Sequence, residues 1–123
     1  MIFHASEVEA YEAPAPEKRV VRYLIDPERT ALRRFMSGLT TLEPGQKTGV
    51  ASHEAEEMYF ILEGQARMRL GDEERTVGPE TVIVIPSSVT HQIAAGSERV
   101  RFLWAQAPPP SEIAAKRSWK RVG

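Results

Sequence analysis

Short runs rich in Val, Ile, Tyr, Phe and Thr recur along residues 20–106, and a Gly, a Pro or a polar turn cluster cuts each one off within about eight to twelve residues. Three turns of helix rarely fit between such breakers, and β-branched and aromatic side chains favour a pleated surface over a helix. The runs fall at residues 20–25, 34–42, 57–62, 66–70, 73–77, 81–85, 90–94 and 99–106. Asp26-Pro27, Glu43-Pro44-Gly45-Gln46, Gly71-Asp72, Gly78-Pro79, the stretch from Pro86 to Val89 and Gly96-Ser97 separate them.

Within the runs, residues alternate with period two, as side chains on a strand must. Glu57, Tyr59 and Ile61 share one face, Met58, Phe60 and Leu62 the other, and Gly64 ends that strand. Ala66, Met68 and Leu70 then oppose Arg67 and Arg69, and Val100, Phe102 and Trp104 oppose Arg99 and Arg101. The pattern predicts an all-β sandwich or closed barrel over residues 20–110. Residues 1–19, polar and interrupted by Pro14 and Pro16, read as an extended arm. Residues 111–123 read as a short helix or tail, with Ser111 as a fair N-cap.

Composition removes several function classes. Sixteen basic against seventeen acidic side chains leave a formal charge of −1, without the basic excess of a nucleic-acid binder. The one local basic cluster, Lys116, Arg117, Lys120 and Arg121, reads as a solvated tail. There is no cysteine, which excludes disulfides, thiolate nucleophiles and Cys-ligated metals. No apolar run is long enough for a membrane span, and the N-terminus carries no signal-peptide pattern, so a cytoplasmic location with no membrane partner is expected.

Against that background three residues stand out. Glu57 points to the same side as Tyr59 and Ile61, the core side. His53 lies four residues earlier, and His91 opens a strand on which Ile93 shares its face. An unpaired carboxylate in an interior costs several kcal/mol, so Glu57 needs hydrogen bonds, a cation or a metal. His53, Glu57 and His91 therefore form either a two-histidine, one-carboxylate metal site or a mutually hydrogen-bonded polar cluster. Tyr59, Gln46 and Gln106 are candidate pocket residues beside them, Ser52, Glu54 and Glu56 are nearby oxygen donors, and His4 reads as a surface residue of the arm.

Residues 45–95 resemble the cupin family. Gly45, Ala51, His53, Glu57 and Gly64 occur at the spacings of its first motif, and Glu80, Pro86, Ser88, His91 and Ala95 occupy the places of its second. The resemblance implies a cupin-type jelly-roll β-barrel in which His53, Glu57 and His91 bind one divalent ion such as Fe, Mn, Ni or Zn. Ala51 stands where the family has its first histidine, and Glu80, Ser88 and Ala95 replace Gly, Gly and Asn at turn or support positions. The resemblance further implies a small-molecule substrate of a chelating, carboxylate or sugar-derived kind, dioxygenase, isomerase or lyase chemistry, and a homodimer. Ala51 keeps a second reading open, a metal-free barrel that binds a small ligand without catalysis.

Overall fold

The computed structural model of the protein describes every residue except 111, 112 and 114. Among the described residues, ten strands form two antiparallel sheets that close face to face as a jelly roll. Their ranges are β1 Ala10–Glu12, β2 Val20–Ile25, β3 Met36–Leu42, β4 Glu56–Glu63, β5 Ala66–Leu70, β6 Glu73–Val77, β7 Val82–Ile85, β8 His91–Ala95, β9 Val100–Ala107 and β10 Lys120–Arg121. The larger sheet has the order β10-β1-β2-β3-β9-β4-β7, and the smaller one β6-β5-β8.

The alternation seen in the sequence decides which face is inside. Phe102, Leu42, Ile61, Ile85, Ile93 and Val100 are the largest fully buried apolar side chains, drawn from β9, β3, β4, β7 and β8. Burial of each such side chain contributes about 1.5–3 kcal/mol relative to exposure. The register lines up inward residues across strands, with Tyr59 opposite Trp104, Ile61 opposite Phe102 and Thr40 opposite Phe102 on its other side. Glycine makes room where the packing is closest. A Cβ on Gly38 would collide with Trp104 Cζ2 and fall 2.9 Å from the Arg22 carbonyl oxygen. Trp104 fills that space, donating its indole N–H to Thr40 Oγ1 at 3.0 Å.

The eight strand runs are found where the pattern put them, with ends moved by a residue or two, and the structure adds β1 and β10. Both are too short for a period to show. They exist because the chain ends meet: β1 pairs with β2 on one side and with β10 on the other. Val8, Ala10, Tyr11 and Ala13 are consequently buried within the arm, whereas His4 stays exposed and accepts a hydrogen bond from the Ser6 amide. Ser111, expected to cap the last helix, lies outside the described residues, and the helix observed is one turn, α1 Ala115–Ser118.

The basic cluster is not simply a solvated tail. Lys116 Nζ sits 2.8 Å from Asp26 Oδ2, and the Asp26 side chain is fully buried. Asp26 Oδ1 also accepts the Glu28 and Arg29 amides at 2.8 and 3.0 Å, so this carboxylate closes the turn after β2 and clips α1 to it. Arg121 pairs with Glu9 at 3.0 Å. These contacts need two distant parts of the chain side by side, which local patterning does not encode.

Gly38→Ala drives a methyl group into the Trp104 ring, and overpacking of this kind costs about 1–3 kcal/mol. Urea denaturation is expected to show that loss for Gly38→Ala and almost none for Gly96→Ala, where no described atom beyond the adjacent residues lies within 4 Å of the added carbon.

Candidate metal centre

Three separate pieces of chain deliver the polar cluster. Glu57 lies near the start of β4, directly opposite Gln106 of β9 and Ile85 of β7. Directly opposed residues on neighbouring strands share a face, so Glu57 and Gln106 both point into the barrel. His91 opens β8 on the facing sheet. His53 comes from a segment laid along the free edge of β8: Ala51 and His91 exchange backbone hydrogen bonds at 3.0 and 2.9 Å, and the Thr48 amide donates to the Ile93 carbonyl at 3.0 Å. The Ser88 amide then donates to the His53 carbonyl at 2.7 Å, pinning the loop from the other side.

Ser88 and Glu80 explain two departures from the motif. Their φ angles are 64° and 66°, the left-handed region where glycine is usual. The backbone turns that the family makes with glycine are kept here with a serine and a glutamate, at a local cost of about 1–2 kcal/mol each.

The side-chain geometry is specific. His53 Nδ1–H donates to the Ala55 carbonyl and His91 Nδ1–H to the Val89 carbonyl, both at 2.9 Å. A carbonyl only accepts, so both protons are assigned to Nδ1 and both Nε2 atoms are left for other duty. Each Nε2 faces the same oxygen, Glu57 Oε1, at 3.2 Å from His53 and 3.5 Å from His91. The His53 and His91 rings meet edge to face with centroids 5.0 Å apart. Exposure falls from 30% for the His53 side chain to 8% for Glu57 and 4% for His91, so the cluster opens to solvent on the His53 side.

With Nδ1 committed, two neutral imidazoles would aim lone pairs at a carboxylate. A proton or a metal ion must lie between them. His91 shows the first solution, its pKa raised chiefly by the hydrogen bond to Glu57, with the Val89 carbonyl and the Glu57 charge assisting and burial opposing. The second solution also fits. Donors about 2.0–2.2 Å from one ion lie roughly 2.8–3.6 Å apart at octahedral to tetrahedral angles. The ligand atoms of His53, Glu57 and His91 lie within 4.8 Å of one another, and the pairs to Glu57 are already at that spacing. Backbone carbonyls holding the remote nitrogens are the usual support for metal-binding imidazoles.

A cavity of about 190 Å³ lies over this cluster. Tyr59 and Gln106 are among its lining residues, and so is Ala51, which stands at the position of the family's first histidine. Burial raises the pKa of the Tyr59 phenol strongly, with the Glu57 charge adding to it, so the group stays a neutral hydroxyl. Gln46 is not among the lining residues, and its side-chain oxygen accepts the Glu43 amide at 3.0 Å within its own turn. Ser52, Glu54 and Glu56 are exposed and outside the cluster. Arg19, Tyr23, Thr40 and Thr48 also line the cavity, and sequence reasoning missed them as pocket residues. Arg19 lies just before β2, where no motif or period marks it.

A family model described as a cupin domain matches residues 38–106. An uncharacterized protein of Streptomyces coelicolor is 29% identical over 109 residues, covering 89% of this chain and 97% of its own. The polyketide cyclase RemF from Streptomyces resistomycificus is similar in structure at 28% identity, with a TM-score of 0.79 over 91% of this chain and 82% of that one. A predicted oxalate decarboxylase of Thermotoga maritima, 18% identical, shares the fold with a TM-score of 0.77 over 89% of this chain and all of its own.

The raised pKa of His91 makes folding of the metal-free protein take up a proton. That contribution is fully present below the unfolded value of about 6.5 and is lost as pH rises through the folded value. The stability advantage of metal-free wild type over His91→Gln, measured by urea denaturation, is therefore expected to shrink between about pH 6 and pH 9. An advantage that stays constant or grows across that range contradicts the assignment.

Proposed function

The chain belongs to the cupin family, and from that premise we propose that it is a metal-dependent enzyme acting on a small chelating substrate, derived from a carboxylic acid or a sugar. In this reading His53, Glu57 and His91 hold one divalent ion, with Fe, Mn, Ni and Zn all suited to imidazole and carboxylate donors. The observation that carries it is the pair of Nδ1–H···O=C hydrogen bonds, which leave two Nε2 atoms converging on one buried carboxylate oxygen.

Such an ion supplies Lewis acidity, or in the iron case dioxygen chemistry, at positions the protein leaves open. Three donors, with alanine at position 51, leave more of those positions than four would. The remaining work belongs to the chain. Gln106 offers an amide beside Glu57, and Tyr59 offers a neutral hydroxyl, so both can orient a bound oxygen-rich molecule by hydrogen bonds. Met36, Phe102 and Trp104 supply apolar wall. The cavity corresponds to roughly six waters by volume, the scale of a small acid or a single sugar. Dioxygenase, isomerase and lyase chemistry are all compatible with this site, because fold alone does not select a reaction.

Ala51 favours the second reading, a metal-free barrel that binds a small ligand without turnover. Elemental analysis of tag-free protein purified without chelators separates the two. We expect about one divalent ion per chain in wild type and at least tenfold weaker retention in His53→Ala and His91→Ala. Equally little metal in all three removes the metalloenzyme reading and leaves the ligand-binding one.

A further inference from the structure

We propose that Arg19 is the anion anchor of this cavity, binding the carboxylate of the substrate at the rim, so that the preferred substrate is a small acid and not a neutral sugar. The inference deepens the metal-site reading above and rests on it for the second contact to the substrate.

The position is built by both chain ends. Arg19 immediately precedes β2, and its carbonyl accepts the Ala13 amide at 2.9 Å, closing the hairpin that joins β1 to β2. The guanidinium carbon stands 5.1 Å from the centre of the Trp119 ring, which comes from the C-terminal segment. Glu17 Oε1 lies 2.8 Å from Nε, out of line for a hydrogen bond, and both of these atoms are buried without one. An arginine presents five N–H donors in a planar fork suited to a carboxylate. Trp119 and Glu17 hold one face and one edge of that fork. Its two terminal nitrogens hydrogen-bond to no described residue.

Two further observations aim the group inward. Among the described residues that line the cavity, Arg19 is the one permanently cationic side chain. Tyr23 lines the same cavity, and the Arg19 charge acts on its phenol, opposing the rise that burial imposes. With 31% of the side chain exposed, it is partly withdrawn from water, where a charge-assisted hydrogen bond is stronger than on an open surface. Charge balance fits the same ligand. A divalent ion and Arg19 against Glu57 and Glu17 leave one positive charge, which a monoanion neutralises.

The test uses full-length wild type, Arg19→Gln and Arg19→Lys, each loaded with Mn²⁺ or stripped of metal. The probes are a panel of 2-oxo and 2-hydroxy acids with the matching primary amides, titrated by calorimetry. Wild type is expected to bind the best acid at least tenfold more tightly than its amide. Arg19→Gln should lose at least tenfold on that acid, leave the amide within about twofold, and retain as much Mn²⁺ as wild type, with Arg19→Lys recovering part of the loss. Unchanged amide binding shows that the Gln variant is folded, and the Lys variant carries the test if it is not. Acid and amide binding alike, no acid binding to wild type, or Arg19→Gln binding acids like wild type overturns the proposal. If Mn²⁺ is not retained while acid binding still depends on Arg19, the anchor stands and the metal reading falls. If Mn²⁺ is retained while acid binding is indifferent to Arg19, the metal reading stands and the anchor falls.

Discussion

Two imidazoles whose Nδ1 protons are already given to main-chain carbonyls face one buried carboxylate oxygen, and that arrangement is unstable without a cation. A proton on His91 satisfies part of it, and a divalent ion among all three donors satisfies the whole. The barrel around the cluster can be understood as the scaffold that keeps this demand in place. β4 and β9 fix Glu57 beside Gln106 through their register, the edge of β8 fixes His91, and the backbone bridge between Ala51 and His91 carries His53 to meet them. No one of these pieces alone builds the site.

Much of this was legible in the sequence because a strand's period of two needs only local information. The alternation of Glu57, Tyr59 and Ile61 puts Glu57 inside, and Val100, Phe102 and Trp104 are buried as the same rule requires. What was not legible depends on contacts between distant segments. β1 and β10 exist only because the chain ends lie side by side, and Lys116 leaves solvent only because Asp26 is buried beneath it. Arg19 enters the cavity by the same route. Gln46 shows the converse limit: nearness in sequence to His53 suggested a pocket residue, but the turn at Pro44 and Gly45 takes its side chain for the Glu43 amide.

The departures from the motif divide into two kinds. Glu80 and Ser88 take left-handed backbone that glycine would adopt more readily, so the turns survive and the change costs stability and not geometry. Ala51 is different, since it removes a donor atom and replaces it with a methyl group on the cavity wall. Its effect falls on chemistry: the remaining donors stay in place, and the space above them opens toward the half-exposed His53. A barrel with fewer donors and a wider approach suits a ligand that brings its own oxygen atoms to the centre.

The most direct test of a metal held by these three residues is the anomalous scattering of crystals grown with Zn²⁺ and measured at the zinc edge. We predict a single peak in the barrel about 2.0–2.2 Å from His53 Nε2, Glu57 Oε1 and His91 Nε2, with both Nδ1–H hydrogen bonds to Ala55 and Val89 preserved. A barrel with no anomalous density among the three side chains, and with Glu57 hydrogen-bonded to a protonated His91, would contradict the account.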